Sequence, residues 1–113
     1  MEPAVIRTEQ HGETVVVVTS GELDLSVSDH LASTIAAAGD RPTVVSLSDC
    51  TYIDSTILTV LVKSTKAREG RLAIVLPPQH RLHRIFEIAN VNHILTIVGS
   101  LDDAIASQTN AAG

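Results

Sequence analysis

Asp54-Ser55-Thr56 sets two hydroxyls directly behind a carboxylate, between an apolar β-branched run and an amphipathic segment. Where a strand gives way to a helix, a side-chain oxygen accepts the free N–H groups of the first turn. Helix capping is therefore the first chemistry these residues offer. The second is that of an acceptor, because a helix start stabilises negative charge placed on it. The other candidates are thinner. Asp24, Asp49 and Asp54 fall at strand or loop ends, but no loop has the dense ligand spacing of a cation site. They are read as solvated, and no metal site is assigned. His80 and His83 stand three apart, expected on one helix face, yet zinc takes three or four ligands and the pair supplies two. Cys50 follows an apolar strand with nothing basic beside it in sequence, the setting of a buried, inert thiol. The glycines stand singly, with no phosphate-binding loop and no Gly-x-Ser-x-Gly elbow around Ser55. No catalytic residue and no cofactor is assigned. A role for Ser55 is to receive chemistry rather than to perform it.

The elements that must position this junction follow from the spacing of apolar residues. Ala4-Val5-Ile6 suits a short edge strand, and Gly12-Glu13 a hairpin turn into Val15–Thr19. The valine run is apolar on both faces, as in a sheet covered on both sides. Gly21-Glu22-Leu23-Asp24 reads as a tight polar connection. Ser26 then offers an N-cap, with Asp29 three residues on as a capping box. Val27, Leu31, Ile35 and Ala38 carry a helix from Ser26 to about Ala38, ended by Gly39. Thr43–Ser48 is the next strand. The helix after Asp54 puts Leu58, Leu61, Val62 and Thr65 on one face and Thr59, Lys63 and Lys66 towards water. Ile57 and Val60 fall between, on a flank the core is expected to cover only in part. Leu72–Leu76 is a third buried strand. Pro78 suits the first turn of a helix buried through Leu82, Ile85, Phe86 and Ala89. Ile94–Val98 is the last strand. Ser100 and Asp103 open a short helix through Ala104 and Ile105, and residues 1–4 and 108–113 are expected to fray.

The order strand, strand, helix, then strand and helix in alternation predicts an α/β chain with a parallel or mixed sheet. At 113 residues it reads as one domain, 1–113. Hydrophobic residues make up 44% and aromatics 2%, so the core is aliphatic. A net charge of -5 with only Tyr52 and Phe86 as aromatics excludes the basic, stacking surface of a nucleic-acid binder. No apolar run approaches the roughly 20 residues that span a bilayer, and no signal peptide precedes the domain. A single cysteine excludes an internal disulfide and fits a reducing compartment. Together these features predict a cytoplasmic protein without membrane insertion.

Gly21-Glu22-Leu23-Asp24 after a valine strand, followed by Asp54-Ser55-Thr56 after a second strand, resembles the STAS domain, and more narrowly the bacterial anti-sigma factor antagonists. The similarity runs along nearly the whole chain. It implies a mixed four- to five-stranded sheet with about four helices packed largely on one side. It also implies a non-enzymatic binding protein, a monomer or weak dimer, that captures an anti-sigma factor which is also a serine kinase and so frees a sigma factor. The kinase phosphorylates a serine at the start of the second main helix and the complex dissociates; a PP2C-type phosphatase restores it. By motif the phosphoacceptor is Ser55, with Thr56 as second choice. The partner-binding set is Glu22, Asp24, Asp54, Ser55, Thr56, Ile57, Thr59 and Val60. The family pattern is Asp-Ser-Ser/Thr-Gly-Leu-Gly, and Ile57 and Thr59 replace its glycines here, where side chains would fill space open to a partner. The alternative is a scaffold STAS subunit of a stressosome-like or lipid-transport complex, not switched by phosphorylation.

Overall fold

In a computed structural model, which describes residues 2–112, the elements follow the order read from the sequence. Strands β1 (Val5–His11) and β2 (Thr14–Leu23) form an antiparallel hairpin across Gly12-Glu13. Strands β3 (Thr43–Ile53), β4 (Ala73–Val75) and β5 (Thr96–Val98) add in parallel, giving a five-stranded mixed sheet in the order β1-β2-β3-β4-β5. Helices α1 (Leu25–Ala36), α2 (Ser55–Ala67), α3 (His83–Ala89) and α4 (Leu101–Ala112) alternate with the strands.

Strand periodicity divides the core between two faces. On one, Val17, Val45 and Ile74 meet Leu31 and Ile35 of α1, Leu58 and Leu61 of α2, and Phe86 of α3. On the other, Val16, Val44, Ala73 and Val75 meet Ala104 of α4. Three helices thus cover one face and one covers the other, which is why the valine strand is apolar on both sides. β1 lies at the edge. There Glu9 bridges Arg7 at 2.7 Å and His11 at 3.0 Å, and such charges discourage pairing with another edge.

β2 and β3 run further than expected, because their parallel pairing continues to Leu23 opposite Ile53. Gly21-Glu22-Leu23 is therefore strand, not a tight connection. The register slips between Val18 and Ser20 and again between Gly21 and Glu22, and each time β3 carries an extra residue. These bulges let Cys50 and Ile53, three apart, both enter the core. Gly21 has φ +80°, and a Cβ there would lie 2.1 Å from the Pro3 carbonyl oxygen. Glu2 and Glu22 also bond each other, from the Glu22 N–H to the Glu2 carbonyl at 3.2 Å and from the Glu2 N–H to the Glu22 carboxylate at 3.0 Å. Residues 2–4, expected to fray, are held against β2 by these contacts; Met1 lies outside the described residues.

Other expectations are corrected by long-range packing. α3 starts at His83 rather than near Pro78, and Ala89 is exposed. The segment between Pro77 and Leu82 turns instead: Leu82 N–H donates to His80 Nδ1 at 3.1 Å, and His83 Nε2 donates to the Pro77 carbonyl at 2.9 Å. α4 continues to Ala112, beyond the short helix expected, and Gln108 of the supposed tail is buried; Gly113 lies outside the described residues. At the C-terminal end of α2, the Arg68 guanidinium donates to the Gly39 and Arg41 carbonyls, each at 2.6 Å, and to Thr43 Oγ1 at 2.7 Å. That single side chain ties α2 to the connection between α1 and β3, which fixes the helix whose other end carries Ser55.

Candidate functional site

Leu23 and Ile53 are register partners, so the two strands end level and the next residues, Asp24 and Asp54, begin two helices side by side. Both aspartates are extended N-caps. Asp24 Oδ1 accepts the Ser26 N–H at 2.9 Å and the Ser26 hydroxyl at 2.6 Å. These bonds, the hydroxyl foremost and then the N–H, hold the Asp24 carboxyl below its ordinary value. Ser26 is thus a donor to the cap and not the cap itself, and the Ser26–Asp29 capping box is not formed. Asp54 Oδ1 accepts the Ile57 N–H at 3.1 Å, and its Oδ2 accepts the Leu25 N–H at 3.1 Å. One carboxylate therefore serves both helix starts. The cap of α2 is this carboxylate rather than either hydroxyl behind it.

Freed from capping, Ser55 is the first residue of α2 and is exposed. Among the described residues its hydroxyl makes no hydrogen bond within the protein. Thr56 is half-buried beside it. Thr59, one turn on, is exposed, and its hydroxyl donates to the Ser55 carbonyl at 3.0 Å. Glu22 stands in register with Tyr52, which is 48% exposed. Val60 is half-buried and packs against the core.

Ile57 departs from expectation. It is 0% exposed. α2 packs on α1 as well as on the sheet, so the apolar stripe widens to take in the flank that helical spacing alone left only partly covered. Of the two side chains at the glycine positions of the family pattern, only that of Thr59 stands on the surface.

The structure brings Asp24, Asp54, Ser55 and Thr56 to one rim, beyond the carboxyl ends of β2 and β3, with Thr59 one turn along α2; Glu22 is still within β2, its carboxylate on the Glu2 N–H, and lines a separate recess with Thr51, Tyr52 and Arg81. It also adds Leu25 and Tyr52, which the sequence reading passed over. Leu25 is 69% exposed, yet its N–H is bonded to Asp54. Its position after an aspartate hinted at a helix start, but its exposure follows only from the fold. The other candidates do not assemble. His80 precedes α3 and His83 begins it, each bonded to backbone as above, so they do not share a helix face. Among the described residues, no three His, Cys, Asp or Glu side chains stand together as a metal site. Cys50 is buried with Sγ 2.9 Å from Thr19 Oγ1, whose hydrogen is directed to the Ser46 carbonyl at 2.7 Å. Burial pushes the Cys50 thiol up to about 11.

A groove of about 400 Å³ runs from Ser55 along α2 to Lys66. No helix among the described residues is long and apolar enough to cross a membrane.

Residues 6–107 match the model of the family described as "Mlab, STAS domain". No curated protein sequence matches the chain. Among solved structures, the fold is similar to that of an anti-sigma factor antagonist from Mycobacterium paratuberculosis, with a TM-score of 0.82, 23% identity and 95% of each chain covered. It is similar to a STAS domain protein from Planctomyces limnophilus, with a TM-score of 0.76, 15% identity, and 92% of this chain and 97% of that one covered. It is also similar to the Bacillus cell fate determinant SpoIIAA in its phosphorylated form, with a TM-score of 0.65, 17% identity, and 91% of this chain and 98% of that one covered.

Proposed function

The chain belongs to the STAS domain family, and from that premise we propose that it is an anti-sigma factor antagonist switched at Ser55. It binds an anti-sigma factor that is also a serine kinase, and the sigma factor is released. The kinase transfers the γ-phosphoryl group of ATP to Ser55 Oγ, which gives up its proton, and ADP leaves. The phosphorylated chain dissociates, and a PP2C-type phosphatase returns the hydroxyl by hydrolysis. The protein acts by binding and performs no catalysis of its own.

The observation that carries this reading is the position of Ser55: an exposed hydroxyl in the first turn of α2, beside a carboxylate that already caps that turn. A phosphate there adds about -1.5 to -2 charges. The helix start tolerates it through its dipole and free N–H groups, so the fold persists. A partner docked over the rim meets a dianion next to Asp54 and Asp24. A hundredfold loss of affinity is about 2.7 kcal/mol, which one desolvated and unpaired charge supplies. That a structural neighbour has been solved in a phosphorylated form supports the same reading. Contacts are assigned to Glu22, Asp24, Asp54, Ser55, Thr56, Thr59 and Val60. Ile57, buried, acts from below by fixing the turn.

The test is phosphorylation by the kinase that co-purifies with the chain from its native cell extract. Ser55→Ala abolishes the phosphate and leaves partner binding intact; Ser55→Asp weakens binding, though less than phosphate does. Stoichiometric phosphorylation of the Ser55→Ala protein refutes the site and passes the role to Thr56. A second reading, a scaffold STAS subunit of a stressosome-like or lipid-transport complex, is favoured by one observation. Thr59 clothes the surface where the family pattern has glycine, with its hydroxyl tied to Ser55. Light scattering separates the two, since a scaffold subunit forms large assemblies and the switch protein does not.

A further inference from the structure

The groove that starts at Ser55 combines an apolar floor with basic residues at one end. Its floor is apolar, made by Leu58 and Val62 of α2 and by Ala89 and Val91 at the end of α3. Ser55 and Thr59 wall one end, Lys63 and Lys66 the other, and no acidic residue lines it. These are the only two lysines in a chain of net charge -5. Lys66 stands in the last turn of α2, where the helix dipole favours a cation; that does not account for Lys63. Lys66 lies eleven positions after Ser55, so the groove follows α2 for about 16 Å at 1.5 Å per residue. Ile88, beside Ala89 in the chain but not in the groove's lining, is 72% exposed.

We propose that this groove is the docking site for an acidic amphipathic helix of the partner protein, with apolar side chains on the floor and carboxylates against Lys63 and Lys66. The length matches about three helical turns, and the apolar floor suits a helix laid in a groove. The charge is complementary to acid at the lysine end only. The neighbouring rim, with Asp24 and Asp54 at the two helix starts, carries the opposite sign and disfavours an anionic bilayer as the occupant. The pattern gives the partner a direction, with acid towards Lys66 and none towards Ser55. This deepens the switch reading and in one step rests on it: a phosphate on Ser55 stands in the wall of the groove, where the uncharged end of the docked helix would have to desolvate it.

The experiment uses a synthetic helical peptide with leucines on one face and glutamates flanking them, and the same peptide with lysines in place of the glutamates. Titration of the intact protein, followed by amide chemical shifts, is expected to move α2 and residues 89–91 with the acidic peptide only. Affinity should fall at least tenfold in the folded double variant Lys63→Glu/Lys66→Glu, recover with Lys63→Arg/Lys66→Arg, and weaken as salt rises. The proposal is overturned if the acidic peptide leaves these residues unmoved, if the double Glu variant binds it equally, or if the lysine peptide binds as well. It is also overturned if vesicles of anionic phospholipid occupy the groove in preference to the peptide, or if sedimentation shows a second copy of the chain covering it. Absence of phosphate on Ser55 in the kinase test would sink the switch and leave the peptide result standing, so the two failures are distinguishable.

Discussion

Asp54 Oδ2 accepts the backbone N–H of Leu25 at 3.1 Å, so the residue that caps α2 also holds the first turn of α1. A single carboxylate couples the two helices that frame the rim. Because it uses both oxygens, an amide cannot replace it fully.

Asp54→Asn therefore keeps one of the two bonds and Asp54→Ala neither. Each lost cap costs about 1 kcal/mol. Urea unfolding should rank wild type above Asn above Ala, with about 2 kcal/mol between the extremes. Equal stability of the Asn and Ala variants would show that one of the two bonds contributes nothing.

The replaced glycines separate by burial. Ile57→Ala empties a fully buried position and should cost about 2–5 kcal/mol, as large-to-small core changes do. Thr59→Gly, on the surface, costs about 1 kcal/mol through helix propensity and bares the backbone beside Ser55. Its effect belongs in partner affinity. A Thr59→Gly variant with unchanged kinase binding would remove Thr59 from the contact set.

Gly21→Ala is expected to destabilise by more than 1 kcal/mol, because the residue needs φ +80° and its Cβ would collide with the Pro3 carbonyl. Removing residues 1–3 abolishes the collision but not the backbone strain. Part of the loss should therefore disappear in the shortened chain, a coupling that a double-mutant cycle in urea measures. Strict additivity would mean that the close approach to Pro3 is not what requires glycine.

Cys50 gives a pH dependence whose sign follows from burial. Its folded-state value, about 11, lies above the ordinary 9.0, so folding favours the protonated thiol. That contribution is complete below pH 9 and is lost as pH rises from about 9 to 11. Iodoacetamide should label the native protein far more slowly than the unfolded chain at pH 8, and thermal stability should fall across that alkaline window. Fast labelling of the native protein at pH 8 would contradict an inert, buried thiol.

The element order and the two motifs were legible because they rest on local spacing: valine alternation, leucines at helical intervals, an aspartate before α1 and before α2. What escaped depends on elements far apart in the chain. Asp24 and Ser26 are both good caps, and only the pairing of Leu23 with Ile53 decides which residue ends the strand. Ile57 lies at the margin of a helical wheel, and the presence of α1 decides its burial. Gly21 looked like a turn residue, whereas it lies inside β2, where φ +80° and the close approach of Pro3, eighteen positions earlier, both call for glycine. The groove escaped because Ala89 and Val91 belong to another helix end, which sequence spacing places on no shared face with Lys63.

From Val15 to Leu23, β2 advances eight residues while β3, from Thr43 to Ile53, advances ten over the same height. At about 3.3 Å per residue, the two residues taken up in the bulges amount to about 7 Å of slack. They work as a length adjustment that brings Ser55 level with Asp24. A β3 that kept all its residues but paired without bulges would carry the serine about 7 Å past the loop at Asp24, whereas a β3 one residue shorter would leave the two helix starts about 3.3 Å out of step. The alignment of the two helix starts is thus set by how many residues β3 folds into its bulges, and a single-residue insertion or deletion within 47–51 alters what the rim presents without touching a single residue on it.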